Sequence, residues 1–275
     1  FANFRTLLTR KHPVQQYKRR NTLLDWVEKA CAFFEEQLRG PGGQEAREYL
    51  EKRGFTREAW TRHRMGFAPN AWRGLSDFLT KQGATTEELI EAGLLVEPEE
   101  KGKQPWDRFR NRVIFPIADQ GGKIIAFGAR TLEPDGKPKY LNSSDSPLFH
   151  KGRTLYRYGP AREALAPLKE GPLSRGLIVT EGYVDAISLA EAGIDTAVAP
   201  LGTALTEEQL ELLWRAGPEA ILCFDGDAAG IRAAWRSCDR ALPLIAPGRT
   251  LYFVLLPDGM DPDDVVRAFA GRCRG

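Results

Sequence analysis

Carboxylates recur in this chain where apolar runs give way to helical patterns. Glu181-Gly182 follows the run 177–180, Asp225-Gly226-Asp227 follows 220–224, and Asp258-Gly259-Met260-Asp261-Pro262-Asp263 follows 250–256. Asp225 and Asp227 stand two residues apart, so the period-two alternation of an extended chain lets both face one way, and Gly226 lets the backbone turn between them. Acids gathered this closely raise one another's pKa and destabilise the fold unless cations neutralise them. Mg²⁺, which takes a few carboxylates plus water and substrate phosphates, suits such a set. The spacing therefore predicts a magnesium site at Glu181, Asp225 and Asp227, with Asp185 and Asp261 as further candidates. The plain alternative for any single acid here is that it caps the helix that follows. Other phosphate chemistries lack their residues. There is no Gly-x-Gly-x-x-Gly, Gly171 to Gly176 is followed by Leu177-Ile178 where a P-loop needs Lys-Ser/Thr, and no Gly-x-Ser-x-Gly elbow accompanies His12, His63 or His150. Two-metal phosphoryl chemistry remains.

The elements that must hold these acids are legible as alternating patterns. Runs 177–180, 195–199, 220–224 and 250–256 alternate with helical segments 183–192, 206–215, 228–242 and 262–270, which predicts right-handed βαβ units on a parallel sheet. Ligands of such sheets bind beyond the carboxyl ends of the strands. Upstream, Leu23, Val27, Ala30, Phe34 and Leu38 carry a helical period from Thr22 to Gly40, a short helix is expected at 44–53, and Thr85 with Glu88 forms a capping-box pattern. Val113–Ile117 and Lys123–Phe127, separated by Asp119-Gln120-Gly121-Gly122, predict a hairpin in a small sheet.

The chain has 275 residues, 42% hydrophobic and 28% charged, which excludes a disordered chain and leaves room for one large domain or two ordinary ones. No apolar run approaches a bilayer span and no signal peptide is visible, so the cytoplasm is the expected compartment. Cysteines 31, 223, 238 and 273 form no Cys-x-x-Cys pair and read as reduced thiols. A net charge of +2 conceals segregation: residues 1–25 sum to +5, 101–153 to +6, and 174–275 to −6. A basic half suits a polyanion, and clustered acids tolerate that polyanion when divalent cations lie between them. Charge that merely solvates helical faces is the competing explanation.

With these residues in place, Glu181-Gly182-Tyr183-Val184-Asp185 and Asp225-Gly226-Asp227 resemble the acidic signature of a Toprim domain. Asp107-Arg108-Phe109-Arg110-Asn111-Arg112-Val113-Ile114-Phe115-Pro116-Ile117, Phe127-Gly128-Ala129-Arg130, Pro138-Lys139-Tyr140-Leu141-Asn142-Ser143, Phe149-His150-Lys151-Gly152, Leu201-Gly202-Thr203 and Leu256–Asp263 resemble the bacterial DnaG-type primase core, in unbroken order over about 44–270. The resemblance implies a Toprim-type parallel-sheet α/β domain preceded by a smaller α+β domain. It also implies a basic linker remnant at 1–21, an α+β basic subdomain at 22–172, a Toprim domain at 173–258, and at 259–275 the start of a truncated helical region. The family's zinc-binding module and helicase-binding domain have no counterpart here, which implies a piece excised from a longer protein.

The activity implied is synthesis of short RNA primers on single-stranded DNA by two-metal nucleotidyl transfer. By position, Glu181, Asp225 and Asp227 would be catalytic. They would hold Mg²⁺, with Mn²⁺ able to substitute, and Asp185, Asp261 and Asp263 would extend the metal set; zinc would lie outside this fragment. Arg110, Arg112, Arg130, Lys139, Asn142 and Lys151 would line a groove for template and ribonucleoside triphosphates, facing the metals. Phe109, Tyr140 and Trp106 are read as core or rim packing rather than as a stacking face. The replicative helicase and single-strand-binding protein would be reached only through domains absent here, and no membrane partner is expected. A Toprim nuclease or topoisomerase, and a non-catalytic single-stranded nucleic-acid-binding module, remain alternatives.

Overall fold

Apolar residues at helical spacing build α1 (Pro13–Arg39), which buries Leu23, Val27, Ala30, Phe34 and Leu38 along one stripe and ends at Gly40. The computed structural model describes residues 13–272 apart from 101, 169, 172, 173 and 203. Residues 13–21, expected as linker, are the opening turns of α1. Tyr17, Lys18, Arg19 and Arg20 are exposed there, so the buried stripe that betrays the rest of the helix is missing from its start. The remainder of the expected linker, 1–12, lies outside the described residues.

Short helices α2 (Gln44–Lys52) and α3 (Arg57–Arg62) lead to β1 (Gly66–Ala68), then α4 (Gly74–Thr80) and α5 (Thr86–Glu91). The expected capping box opens α5: Thr85 accepts from the Glu88 amide while the Glu88 side chain accepts from the Thr85 amide. A two-stranded pair, β2 (Leu95–Val96) and β3 (Trp106–Asp107), precedes β4 (Arg112–Ala118), β5 (Ile124–Thr131) and β6 (Tyr140–Asn142). Strands β1, β4, β5 and β6 form an antiparallel sheet in the order β1-β4-β5-β6, with the predicted hairpin between β4 and β5. Phe34 from α1 meets Phe127 of this sheet edge-to-face, at 5.4 Å between ring centroids, in the heart of the core.

After α6 (Tyr158–Leu165) the alternation follows the predicted pattern: β7 (Gly176–Val179), α7 (Tyr183–Glu191), β8 (Ala197–Val198), α8 (Glu207–Ala216), β9 (Glu219–Cys223), α9 (Ala228–Ala241), β10 (Thr250–Val254) and α10 (Pro262–Arg272). The sheet is parallel throughout, in the order β10-β9-β7-β8. Its two faces feed different cores, because alternate residues of a strand point opposite ways. Leu177 and Val179 join Leu210, Leu213 and Trp214, whereas Ile178 joins α7 and the antiparallel sheet in one continuous core. Tyr183 seals that junction: its ring lies 4.9 Å from that of Phe115 and its hydroxyl donates to the Ala129 carbonyl at 3.1 Å. Segment 259–272, expected as the start of a helical region, carries α10, which packs on this domain against α7. The described thiols of Cys31, Cys223 and Cys238 are free.

Candidate active site

The strand order dictates where a ligand can enter. From β7 the chain crosses to β8 on one side, then returns over β7 to β9 on the other, so the direction of winding reverses between β7 and β9. At such a switch point the loops diverge and leave a crevice at the carboxyl ends of the strands. Glu181 follows β7 and Asp225 follows β9, and both line a cleft of about 300 Å³ together with Asp185, Asp261, Arg53, Lys139, Tyr140 and Asn142.

Three of the acids also cap the helices that carry or follow them. Asp185 accepts from the Gly182 amide at 3.2 Å at the start of α7. Asp227 accepts from the Ala229 and Gly230 amides at 2.7 and 2.8 Å at the start of α9, and Asp261 accepts from the Asp264 amide at 2.7 Å at the start of α10. The partial positive charge of each helix start offsets some of their repulsion. What remains is plain in their proton affinities. Burial, with Asp261, Asp225 and Asp263 nearby, pushes Asp185 up to about 8. Burial and the neighbouring Glu181, Asp261 and Asp227 push Asp225 up to about 6. Glu181 is raised by burial and by Asp227, and Asp261 by burial and its acidic neighbours.

Gly226 is required by proximity rather than by a turn. A Cβ there would stand 2.1 Å from the Pro257 carbonyl oxygen, because the Asp225–Asp227 loop pairs with the loop after β10 through Gly226 N–H to Met260 O (2.9 Å) and Gly259 N–H to Gly226 O (2.8 Å).

The donor set suits a hard cation. Asp225 Oδ1 is buried without a hydrogen-bond partner, the condition a divalent ion would relieve, and its neighbours are carboxylates. Glu181, Asp225 and Asp227 are the residues that would hold Mg²⁺. Among the described residues no three such side chains converge tightly enough to enclose an ion as they stand.

Asp263, expected in the metal set, is placed otherwise: it is buried beside α7 and bound to Arg53, Ser188 and Arg267.

Of the residues expected to line a groove facing the acids, Lys139 and Asn142 reach the cleft, and Asn142 is fixed there by donating to the Leu201 carbonyl at 3.0 Å. The other four are not among the residues that line this cleft, although Arg130 lies 6.0 Å from the ring centre of Tyr140, which is. Arg112 is buried and donates to the Pro138 carbonyl at 2.9 Å, so it shapes the loop carrying Lys139. Arg130 lies 4.6 Å from the Tyr49 ring centre, and Lys151 sits in a 3-10 turn whose backbone is bound by Asp145 and Gln209. The Arg110 guanidinium stacks 3.4 Å over the ring of Trp72, an indole 63% exposed that meets Trp106 edge-on.

Arg53 and Trp72 were missed by sequence reasoning. Neither belongs to the motifs around 107–152, and only the fold brings Arg53 to the acids and Trp72 to Arg110.

This fold and cleft define a Toprim-like domain joined to a basic α+β domain. A family model described as the DNA primase catalytic core, N-terminal domain, matches residues 33–162, and one described as Toprim-like matches 178–266. The chain is 45% identical over 240 residues to the DNA primase of Pseudomonas aeruginosa and 44% identical over 248 residues to that of Escherichia coli. These alignments cover 87% and 90% of the chain but 35% and 41% of the relatives, so it spans well under half their length. A crystal structure of a DNA primase domain from Pseudomonas aeruginosa superposes with a TM-score of 0.82 at 44% identity, covering 92% of this chain and 77% of that one. A DnaG primase catalytic domain bound to ssDNA superposes with a TM-score of 0.80 at 42% identity, covering 94% and 80%. The chain belongs to the DnaG primase catalytic-core family.

Proposed function

We propose that the chain is the nucleotidyl-transferring core of a DNA primase, extending RNA from ribonucleoside triphosphates on a single-stranded DNA template. The observation that carries this reading is the half-buried Asp225 carboxylate at a strand-order switch, whose Oδ1 is buried without a hydrogen-bond partner, in a cleft also lined by cationic side chains from the preceding domain. In the reaction the 3′-hydroxyl oxygen of the primer bonds to the α-phosphorus of the nucleotide, the bond to pyrophosphate breaks, and the hydroxyl proton is lost. Mg²⁺ held by Glu181, Asp225 and Asp227 would lower the pKa of that hydroxyl and stabilise the departing pyrophosphate.

The chain's own residues do the rest. Arg53 and Lys139, on the cleft wall, meet the triphosphate charge, and Asn142, anchored to the loop after β8, orients what enters. The Arg110–Trp72 stack offers a charged edge and an aromatic face to a single strand, a combination that holds bases without reading them. The solved relative bound to single-stranded DNA supports the choice of template. No described helix is long and apolar enough to cross a membrane.

Extension of a pre-annealed RNA primer on single-stranded DNA, with ribonucleotides and Mg²⁺, tests the proposal. Incorporation by the native chain and its loss in Asp225→Asn is the expected result. Cleaved template would point to a Toprim nuclease. Salt-sensitive binding with no incorporation would leave a binding module.

A further inference from the structure

A carboxylate that serves a metal must keep an oxygen for it, and by that standard the acids of this domain divide. Asp225 Oδ1 is buried and unpartnered, whereas Asp263, 1% exposed, has both oxygens engaged. Its Oδ1 accepts from the Ser188 hydroxyl at 2.8 Å, and its Oδ2 accepts from Arg53 Nη1 at 2.8 Å and pairs with Arg267 Nη2 at 3.1 Å. Two guanidinium groups and a hydroxyl meet the single negative charge of Asp263. Asp263 is also absent from the lining of the acidic cleft, but Arg53 is part of it, with its side chain 24% exposed.

The bond between them joins residues 210 apart in sequence, one following α2 in the first domain and the other at the start of α10, with Ser188 supplied by α7. A guanidinium has five N–H donors, so the nitrogen given to Asp263 leaves others available. An arginine otherwise free to sample many rotamers would lose that freedom on each binding event, and a fixed partner removes the cost beforehand.

We infer that Asp263 is a positioning residue rather than a metal ligand, clamping Arg53 at the rim of the carboxylate cleft so that its free donors receive the phosphates entering there. The inference rests on the proposed reading of the cleft as a nucleotidyl-transfer site. Ser188, on Oδ1, and Arg267, which shares Oδ2 with Arg53, complete the clamp.

The test uses the whole chain and the variants Asp263→Asn, Arg53→Ala, Arg53→Lys, Asp225→Asn and the double variant D263N/R53A. Mn²⁺ binding, followed by the paramagnetic resonance signal of the free ion, should be unchanged in Asp263→Asn and lost in Asp225→Asn. In primer extension, Asp263→Asn and Arg53→Ala should each raise KM for the ribonucleotide about tenfold, the size of one charge-assisted hydrogen bond, with kcat moved less. The double variant should be no worse than Arg53→Ala alone, because the two residues act as one unit. Arg53→Lys should restore part of the loss. Loss of Mn²⁺ binding in Asp263→Asn, or independent penalties that multiply in the double variant, would overturn the assignment.

Should the native chain extend no primer, the polymerase reading falls while the clamp stays testable. Calorimetric binding of inorganic tripolyphosphate should weaken equally in Asp263→Asn, Arg53→Ala and the double variant, and an unchanged affinity in the two single variants would refute the clamp. If Asp263→Asn does not fold, the same KM and tripolyphosphate readings on Arg53→Ala, with Arg53→Lys as rescue, decide the question.

Discussion

Asp225 shows at the scale of one residue why a functional site costs stability. Its carboxyl is half-buried, one oxygen has no donor, and Glu181 and Asp261 press on it, so the folded protein holds a charge it would sooner lose. A cation held there would remove that penalty, and its binding free energy would add to folding. Saturating Mg²⁺ should therefore raise the thermal midpoint of the native chain by roughly 5 °C, the shift expected for a ligand near a hundredfold its Kd on a chain of this size. Asp225→Asn should lose the response and, without metal, melt no lower than the native protein, because the substitution relieves like-charge repulsion. Scanning fluorimetry at pH 8 with EDTA or Mg²⁺ distinguishes these outcomes; a Mg²⁺ response preserved in Asp225→Asn would place the ion elsewhere. Tyr183 shows the opposite relation, since its position beside the acids reflects packing against Phe115, Tyr140 and Tyr156 and not chemistry.

Elements turn such residues into a site. Helices α7, α9 and α10 all begin at the same end of the parallel sheet, and each start is capped by an acid of the cluster; each cap engages one carboxylate oxygen, so capping does not by itself exclude a metal-holding role for Asp185, Asp227 or Asp261. The loops between depend on close backbone contact. Gly226→Ala would force its new methyl against the Pro257 carbonyl and should cost about 2 kcal/mol, lowering the denaturation midpoint and opening the cleft together. A second element-scale joint lies where α3 ends. His63 is buried, its Nδ1 accepting from Arg157 Nη1 at 3.3 Å, which leaves Nε2–H to donate to Glu191 at the end of α7 at 2.7 Å. Burial and Arg157 hold its pKa below the ordinary value of 6.5. The unfolded chain therefore takes up a proton before the folded one, and stability falls as pH drops from 6.5 toward the folded-state pKa. In denaturant titrations from pH 7.5 to pH 5 the raised carboxylates contribute with the opposite slope, so the expected result is that the native protein loses stability relative to His63→Gln as the pH drops, and this difference isolates the imidazole. The sequence makes these elements visible to unequal degrees. Strands β7 and β9 and their acids stand out because a buried parallel strand is a continuous apolar run ending at the site. The opening of α1, the short β1 and β6, and the Arg53–Asp263 bond do not, because exposed turns carry no period, three-residue strands are too short to show one, and a contact across 210 residues leaves no local trace.

Across the whole molecule, the segregation of charge becomes a division of labour between the two domains. Segment 101–153, which sums to +6, supplies β4, β5, β6 and the loops that bring Lys139 to the cleft and Arg110 to Trp72, while the parallel-sheet domain supplies the acids. Not all of the positive charge is free for a ligand: Arg112 is buried and holds the Pro138 carbonyl, so a bare count of basic residues is not a measure of the binding surface. Affinity for single-stranded DNA should still fall steeply with salt, since each phosphate neutralised releases counterions. Arg110 and Trp72 separate the two contributions. Removing Arg110 deletes a charge and should flatten the dependence of log Kd on log salt by about 0.7, the value of one phosphate contact on a single strand. Trp72→Ala deletes a stacking face and should weaken binding by about 1–3 kcal/mol at every salt concentration while leaving the slope alone. Anisotropy titrations of a labelled oligonucleotide over a range of salt give both quantities. Equal changes of slope in the two variants would mean that the indole acts only by holding Arg110 in place, and a native slope near zero would remove the basic domain from template binding altogether.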